Sequence, residues 1–269
     1  GNLYRDNYRA AKSYYSFVLS GEEEIIKPKF SFLGGRYIRL IEYPSYITKD
    51  NFKAQLVHSK MEQTCFFKCD NEKIQRLYLN TYYGQLSNYL DIPTDCPQRD
   101  ERLGWTADTQ VFTETGTFFA GTDRFMHKWM RDMRDSQTEL GGFPGVAPIA
   151  QYGASRNNMM RLGWADAGVI VPWTIWKQFG DTAIIEENWE SMELYMNHVN
   201  DNKYDHVALS AENGNYQWAD WLSYEPLESC GGGAFGYDAN GKRGPLPEAI
   251  EYWNYLSASY WAIDAGMMR

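Results

Sequence analysis

The sequence predicts a mainly α-helical protein, part of an (α/α) toroid that follows a β-rich stretch. From about residue 63 onward, apolar side chains recur with the period of a helix. Before about residue 62 they alternate, as they do in strands. Long loops separate the helical stretches. Helices paired in sequence, with long loops on one side, fit a toroid whose site lies at the loop end.

The first part of the chain is expected to be β-rich. Residues 30–41 alternate in hydrophobicity around Gly34 and Gly35, which indicates a hairpin. Residues 55–58 suggest a further strand. Residues 5–19 leave their structure open, because their tyrosine and alanine spacing also suits a helix.

Six stretches show the apolar period of a helix. Phe125, Trp129 and Met133 share one face of the third stretch. The fourth is apolar almost throughout, which indicates that it is buried. Gly180 and Asp181 end the fourth and start the fifth. The predicted helices cover residues 72–89, 108–120, 123–139, 164–179, 182–199 and 247–268.

Two long loops are expected, at residues 141–163 and 200–246. Loops of this length inside a compact domain usually carry function. The glycine run at residues 231–233 lacks the Lys-Ser/Thr pair and the preceding strand of a phosphate-binding loop. It is therefore predicted to be a flexible connection.

Composition limits the classes of function. The 269 residues carry a net charge of −9, which argues against nucleic acid and anionic membranes as partners, because both require a basic patch. Neither a membrane-spanning run nor a secretory signal pattern is visible. The sequence lacks an initiator Met and stops inside a helical stretch, so it reads as an excised piece whose compartment is unknown. The 10 Trp and 20 Tyr suit a core and also suit carbohydrate binding.

The cysteines and histidines do not indicate a metal site. Cys65 and Cys69 have no second Cys/His pair to complete a zinc site. Together with Cys96 and Cys230 they do not form a disulfide framework for a chain of this size. Cys65 and Cys69 are predicted to be small buried hydrophobes. The four histidines are scattered along the chain.

Residues 95–108 carry most of the chemical signal. They read Asp-Cys-Pro-Gln-Arg-Asp-Glu-Arg-Leu-Gly-Trp-Thr-Ala-Asp, with four carboxylates, two arginines and one tryptophan. Like charges this close raise one another's pKa unless arginines or ligand hydroxyls separate them. Such a cluster suits a site that needs both an acid and an ionised carboxylate. The tryptophan offers a flat apolar face to a sugar ring.

Two conformations fit this stretch. If the backbone is helical after the proline, Glu101, Trp105 and Asp108 share one face. The intervening glycine argues against a continuous helix, and a loop that becomes helical near Thr106 fits equally well. The simplest alternative is a solvated charged loop with surface ion pairs.

Other side chains are candidates with two interpretations each. Arg99 and Arg102 can clamp the carboxylates of the motif or pair with Asp100, and Arg102 is expected to support the site rather than touch substrate. Asp166, which follows Trp164 at a helix start, is either an N-cap or a sugar contact.

A tryptophan pair also lies in the second long loop. Trp218 and Trp221 flank Asp220 there. Such a pair in a polar loop is harder to bury than one in a helix, so it stacks either on the protein or on a ligand.

Residues 95–108 resemble the signature of the bacterial α-L-rhamnosidases, glycoside hydrolase family 78, with Ala107 where the family often has glycine. Residues 32–37 resemble the strand that precedes the catalytic domain in that family. Residues 163–173 and 218–222 resemble two further blocks. The resemblance covers the chain from about residue 30 onward.

The resemblance makes the toroid an (α/α)6 barrel. It implies that residues 63–269 are the N-terminal half of that catalytic domain. Residues 1–62 are then the C-terminal part of a β-sandwich domain with its linker.

The resemblance also implies inverting hydrolysis of terminal non-reducing α-L-rhamnose residues from rhamnosides. Glu101 is the expected general acid. Asp95 and Asp108 are expected to hold rhamnose hydroxyls and to keep Glu101 protonated by their charge. Trp105 and Trp221 are expected to line the sugar pocket.

Arg99 and Asp166 complete the expected substrate-binding set, and this chemistry needs neither a metal nor an organic cofactor. An inverting enzyme uses a second carboxylate, about 6.5–9.5 Å from the acid, as its general base. By the resemblance this base falls beyond Arg269, so the isolated chain is expected to be inactive.

Three alternatives stay open. One is an inverting (α/α)6 glycosidase for another sugar, and the second is a non-catalytic relative that only binds sugar. The third is a purely structural helical-repeat domain, against which the acidic motif argues, because a scaffold has no use for it.

Overall fold

Periodic apolar residues and well-marked helix ends give the chain its helical architecture. Among the residues described below, six α-helices form: α1 (Glu72–Asn88), α2 (Thr106–Phe119), α3 (Asp123–Asp135), α4 (Ala167–Phe179), α5 (Thr182–Asn200) and α6 (Pro247–Met267). Each corresponds to one predicted stretch, so the six predicted helices are confirmed. The computed structural model describes residues 4–43, 45–150, 161, 163–201, 221, 235–237, 239–241, 243–245 and 247–269.

The chain divides into two compact units. The first consists of Gly1–Lys60 and Phe67–Leu103, and the second of Met61–Phe66 and Gly104–Arg269. The first unit contains α1 and a short antiparallel pair of strands that directly follows it. These strands are β1 (Tyr89–Leu90) and β2 (Ile92–Pro93), with Tyr89 opposite Pro93 and Leu90 opposite Ile92.

The strands expected in the first part of the chain are absent from residues 4–43 and 45–60 as described. Irregular backbone and two short 3-10 helices, Asp6–Tyr8 and Lys49–Asn51, take their place. Alternating side chains define the two faces of a strand, but a strand forms only where a neighbour satisfies its backbone N–H and C=O groups. Within these residues no such ladder forms, and the predicted hairpin and further strand are wrong for this structure.

Helix α1 starts at a side-chain cap. The Asn71 carboxamide oxygen accepts hydrogen bonds from the backbone N–H of Lys73 at 3.0 Å and of Ile74 at 3.3 Å, which satisfies donors that the helix leaves unpaired. The apolar face predicted for this helix is buried only near its end, because Leu86 is buried while Leu77 is exposed.

Helix α4 is the centre of the second unit. It packs against α2, α3, α5 and α6. Val169, Val171 and Ile175 have no exposed surface. A helix surrounded by other helices must be apolar on every side, which is why the fourth predicted stretch has almost no polar face. Its predicted burial is confirmed.

Helix α2 buries small polar side chains instead of large apolar ones. Thr106, Thr109 and Thr113 are all buried. The Thr109 hydroxyl donates to the Trp105 carbonyl at 2.9 Å, and the Thr113 hydroxyl donates to the Thr109 carbonyl at 2.6 Å. These bonds to the preceding turn satisfy the hydroxyls without a partner from another helix.

Helix α3 buries the predicted face. Phe125, Trp129 and Met133 are all buried there. The boundary between α4 and α5 also follows the prediction: Gly180 has a left-handed backbone with φ of 68°, and the Asp181 carboxylate accepts from the Ala183 N–H at 3.1 Å.

The second long loop contains structure that the sequence did not indicate. Its described part includes an antiparallel pair of strands, β3 (Phe235–Tyr237) and β4 (Arg243–Pro245). None of the helices in the described residues combines the length and the apolar composition needed to cross a membrane. Four predicted features lie outside the described residues: Trp218, Asp220, Cys230 and the glycine run at 231–233.

Candidate active site

The acidic stretch is a loop that leads into a helix. Residues 101–104 have no regular structure, and α2 begins at Thr106. The loop alternative is therefore confirmed, and the shared helical face is not formed. Gly104 gives the physical reason: its carbonyl accepts from the Ala147 N–H at 2.9 Å, and a Cβ at this position would lie 2.1 Å from the Ala147 carbonyl oxygen.

Two carboxylates and one guanidinium group form the centre of this loop. The Arg99 Nη2 atom lies 3.2 Å from Asp95 Oδ2 and 2.8 Å from Glu101 Oε2. The Arg99 Nε–H also donates to Glu101 Oε2 at 3.0 Å. Of the two interpretations of Arg99, the clamp on the motif's carboxylates is the one formed.

Asp95 is held on both of its oxygens. Its Oδ1 accepts from the Leu103 N–H at 2.9 Å, and its Oδ2 is the atom paired with Arg99. Only 5% of its side chain is exposed, against 17% for Glu101. The Asp95 carboxylate therefore closes the loop, and Glu101 is the more accessible of the two.

Arg9 is a partner of Glu101 that sequence reasoning missed. Its Nη1 donates to Glu101 Oε2 at 2.7 Å across 92 residues of sequence. The sequence around Arg9 does not indicate this contact, because residues 5–19 are compatible with more than one structure and Glu101 lies 92 residues away. A general acid must donate a proton, whereas Glu101 here accepts from two arginines.

Arg102 supports the loop from the other side. Its Nη1 donates to the Phe32 carbonyl at 3.2 Å, and its guanidinium carbon lies 4.8 Å from the centre of the Phe32 ring. Gly34 touches the same loop, since a Cβ on it would lie 2.8 Å from the Pro97 carbonyl oxygen. Two stretches singled out in the sequence, 32–37 and 95–108, are thus in contact.

The cluster has the donor atoms of a metal site but not its electrostatics. Ligand atoms of Asp95, Cys96 and Glu101 all lie within 4.8 Å of one another. Burial raises the pKa of the Cys96 thiol, which disfavours the thiolate that a metal would require. Arg99 already pairs with both carboxylates, and Arg9 adds a second positive charge on Glu101. These features favour an ion-paired polar site.

The predicted burial of Cys65 and Cys69 is wrong, because both are partly exposed. Cys96, within the acidic loop, is buried.

Trp105 and Asp108 belong to the second compact unit. Trp105 is half-buried immediately before α2 and forms an isolated backbone bridge with Val146. Asp108 is exposed in the first turn of α2, where the helix dipole favours a negative charge. Both side chains are accessible in that unit, and both lie at the start of the same helix.

Asp166 occupies the N-cap position of α4, but its side chain does not cap the helix and is not open to a ligand. It directly precedes α4, but its side chain makes no capping hydrogen bond, and none of its surface is exposed. Its carboxylate accepts from the Tyr195 hydroxyl at 3.0 Å and from the Gly163 N–H. The structure therefore shows neither a capping side chain nor an exposed sugar contact at this position. The Asp166 carboxylate is a buried acceptor of hydrogen bonds.

Trp164 and Trp221, which lie in two of the stretches singled out in the sequence, differ in exposure. Trp164 is only 7% exposed, at the turn before α4, and Trp221 is 51% exposed. Of these two, Trp221 is therefore the more accessible to a ligand.

Two family models match the chain. Residues 62–238 match the bacterial alpha-L-rhamnosidase 6 hairpin glycosidase domain. Residues 1–58 match the bacterial alpha-L-rhamnosidase concanavalin-like domain.

Individual proteins agree with these models. An alpha-L-rhamnosidase of Formosa agariphila is 38% identical over 232 residues, which cover 84% of this chain and 24% of that protein. One from Streptomyces avermitilis is 34% identical and covers 83% of this chain and 21% of that protein. The chain thus spans about a quarter or less of the length of these relatives.

Solved structures share the fold. The alpha-L-rhamnosidase from Dictyoglumus thermophilum superposes with a TM-score of 0.65 at 28% identity, covering 84% of this chain and 22% of that one. The Streptomyces avermitilis enzyme, complexed with L-rhamnose, gives a TM-score of 0.62 at 27% identity, with 78% and 17% coverage. The predicted class, a mainly α partial (α/α)6 toroid, is confirmed. The chain belongs to the bacterial α-L-rhamnosidase family.

Proposed function

We propose that this chain forms part of a glycoside hydrolase that releases terminal non-reducing α-L-rhamnose with inversion at the anomeric carbon. The observation that carries the proposal is the ion-paired cluster of Asp95, Arg99 and Glu101 within the acidic loop. Fixed carboxylates and a guanidinium group can hold sugar hydroxyls without a metal or an organic cofactor. Residues 63–269 are the proposed catalytic part, and residues 1–62 are the proposed end of a β-sandwich domain with its linker.

The accessible carboxylate is the proposed acid. Glu101 protonates the departing glycosidic oxygen, and a general base beyond Arg269 activates water on the opposite face of the sugar. Because Glu101 accepts from Arg9 and Arg99 in the structure, substrate must weaken at least one of these contacts before the acid can donate. Arg9 is the more readily displaced, since 57% of its side chain is exposed.

Residues of both units are assigned to substrate binding, each by its own surroundings. Asp95 and Arg99 hold substrate hydroxyls while they keep the loop closed, and Asp108 accepts from a further hydroxyl. Trp105 and Trp221 offer their indole faces to the C–H face of the sugar. Asp166 has no exposed surface, so we assign it to positioning and not to direct contact.

A hydrolysis screen tests the reaction. The protein at its natural full length is assayed on a panel of aryl glycosides, and the anomer first released is identified by NMR. We expect turnover of the α-L-rhamnoside with β-L-rhamnose as the first product. Preferred hydrolysis of another sugar would support a different inverting glycosidase. Binding of rhamnose without turnover would support the non-catalytic relative, which the two arginines on Glu101 make the strongest competing function.

A further inference from the structure

Two aspartates meet in the interior of the second unit. Asp166 lies at the start of α4 and is 0% exposed, and Asp264 lies on α6 and is 1% exposed. Because α4 and α6 pack against each other, the Asp264 carboxyl group comes within hydrogen-bonding reach of the Asp166 carboxyl group. An ionised carboxylate can only accept hydrogen bonds, so this contact requires a proton on one of the two groups.

The surroundings show which group carries the proton. Asp166 accepts from the Tyr195 hydroxyl and from the Gly163 N–H in addition to its contact with Asp264. Asp264 Oδ1, in contrast, has no hydrogen-bond partner among the described residues. Donors stabilise an ionised carboxylate, whereas burial without donors stabilises the neutral acid. Asp166 is therefore the anion and Asp264 the acid.

The charges of the interior agree with this assignment. Among the described residues, Arg161, Asp166 and Asp264 are the charged residues that are buried. One proton on the aspartate pair leaves one negative charge in place of two, which lowers the cost of burying both carboxyl groups. Burial, followed by the negative charge of Asp166, raises the pKa of Asp264 well above its ordinary value.

We propose that Asp166 and Asp264 share one proton, which Asp264 donates to the Asp166 carboxylate, and that this pair is a positioning device for the turn before α4. The pair joins three helices, because Asp166 precedes α4, Tyr195 lies on α5 and Asp264 lies on α6. It also fixes the turn itself through the Gly163 N–H, three residues before Asp166.

The backbone conformation of this turn favours glycine at position 163. Gly163 has φ of 88°, a left-handed backbone that favours glycine, and a Cβ on it would lie 3.6 Å from the Tyr260 ring. The Trp164 N–H donates to the Arg161 carbonyl at 2.9 Å. Loss of the anion at Asp166 would release the Gly163 N–H and with it the segment that carries Trp164.

The same substitution at the two positions tests the assignment. In the protein at its natural full length, Asp264→Asn keeps a donor of nearly the same shape, so we expect stability near that of the wild type. Asp166→Asn keeps only one acceptor oxygen for three donors, and we expect the folding equilibrium constant to fall roughly 5- to 100-fold. Asp264→Leu, which removes the donor, should also destabilise the protein.

The pH dependence of stability gives a second measurement. A carboxyl group whose folded pKa is raised contributes stability that is fully present below its unfolded pKa and is lost as the pH rises through its folded pKa. We therefore expect the wild type to lose thermal stability as the pH rises from about 3.9, the unfolded pKa of an aspartic acid, through the raised folded pKa of Asp264. Asp264→Asn should lose less, because the amide stays neutral and keeps its hydrogen bond. Among the described residues, the Tyr195 hydroxyl from α5 and the Gly163 N–H of the turn contact the pair through Asp166.

Infrared spectroscopy of the wild type does not depend on whether any variant folds. A buried protonated carboxyl group should give a C=O stretching band near neutral pH, and this band should be missing from folded Asp264→Asn. Absence of the band in the wild type, or equal destabilisation by the two Asn substitutions, would overturn the proposal. None of these measurements involves substrate. Failure of this proposal can therefore be distinguished from failure of the proposed hydrolysis.

Discussion

At the scale of single residues, Glu101 is the one on which the proposed reaction depends most directly. It is the more accessible carboxylate of the acidic loop, and two arginines contact it. A general acid matters most when the leaving group is a poor one, because a very acidic leaving group departs without a proton.

Glu101→Gln therefore separates the acid role from a structural one. In the full-length protein we expect about 10²–10⁴-fold loss of activity on natural rhamnosides and a much smaller loss on an aryl rhamnoside with a very acidic leaving group. Steady-state kinetics on both substrates measures the difference. Glu139→Gln, at an exposed position, serves as the control. Equal losses on both substrates would remove Glu101 from the acid role.

Asp108 is proposed to bind substrate from the first turn of α2. A hydrogen bond to a charged group contributes about 1.5–3 kcal/mol, so Asp108→Asn should weaken rhamnose binding by roughly tenfold or more, as measured by calorimetry. Asp123→Asn is the matched control, because Asp123 also lies in the first turn of a helix. Equal weakening by both changes would point to the helix and not to a sugar contact.

Gly104 is predicted to control stability through its close approach to Ala147. A methyl group 2.1 Å from a carbonyl oxygen cannot be accommodated without a shift of the backbone. Gly104→Ala should therefore lower the free energy of unfolding by about 1–3 kcal/mol, the range for overpacking, as measured by urea denaturation. Gly84→Ala, inside α1 with open space around it, should change stability little or increase it. A neutral Gly104→Ala would contradict the close approach.

At the scale of elements, a histidine joins α3 to the start of α5. His127 Nε2 lies 2.7 Å from Asp181 Oδ2, and Nδ1 lies 3.0 Å from Glu187 Oε2. Burial alone would lower the pKa of His127, but the hydrogen bonds to the two carboxylates outweigh it, and the pKa is raised. The same contact lowers the pKa of Asp181, although burial opposes this shift.

The sign of the effect on stability follows from these directions. The His127 contribution is fully present below its unfolded pKa of about 6.5 and is lost as the pH rises through the folded value. The Asp181 contribution is present above its unfolded pKa and is lost as the pH falls through its lower folded value. The link between α3 and α5 is therefore strongest in mildly acidic solution.

Removal of the imidazole tests this link. We expect His127→Gln to lower the free energy of unfolding by up to about 1 kcal/mol near pH 5.5 and by less near pH 8.5. Denaturant unfolding at both pH values measures the change, with His58→Gln at an exposed position as the control. A loss for His127→Gln that is the same at both pH values would mean that the ionised imidazole contributes nothing.

At the scale of the whole molecule, the chain is expected to be inactive by itself. It spans 24% of the Formosa agariphila relative, and the proposed base lies beyond Arg269. Loss of a general base costs about 10²–10⁴-fold in rate, and an incomplete pocket adds lost positioning. Helix α6 also exposes Tyr255 and Ile263, although Trp253 on the same helix is buried.

The comparison is made between this chain and the full-length protein on one aryl α-L-rhamnoside. We expect no measurable turnover by the 269-residue chain. Turnover within tenfold of the full-length protein would mean that the base lies inside residues 1–269. The position of the general base would then have to be assigned again.

Local patterns determined most of the helical architecture. The helices α1 to α6 were predictable because apolar period, caps and glycine stops are properties of adjacent residues. The chemical character of residues 95–108 was equally predictable, because four carboxylates and two arginines are close together in the sequence. The roles of the individual site residues stay predictions that the experiments above address.

Tertiary structure decided what depends on distant residues. Arg9 meets Glu101 across 92 residues, and Tyr195 meets Asp166 across 29, so no local pattern could indicate either pair. The expected strands near the start failed for the same reason, because a strand exists only where a neighbour completes its hydrogen bonds. The ionisation of Asp166 likewise depends on Asp264, a buried acid far along the chain on α6, and only the packing of α4, α5 and α6 brings the donors together.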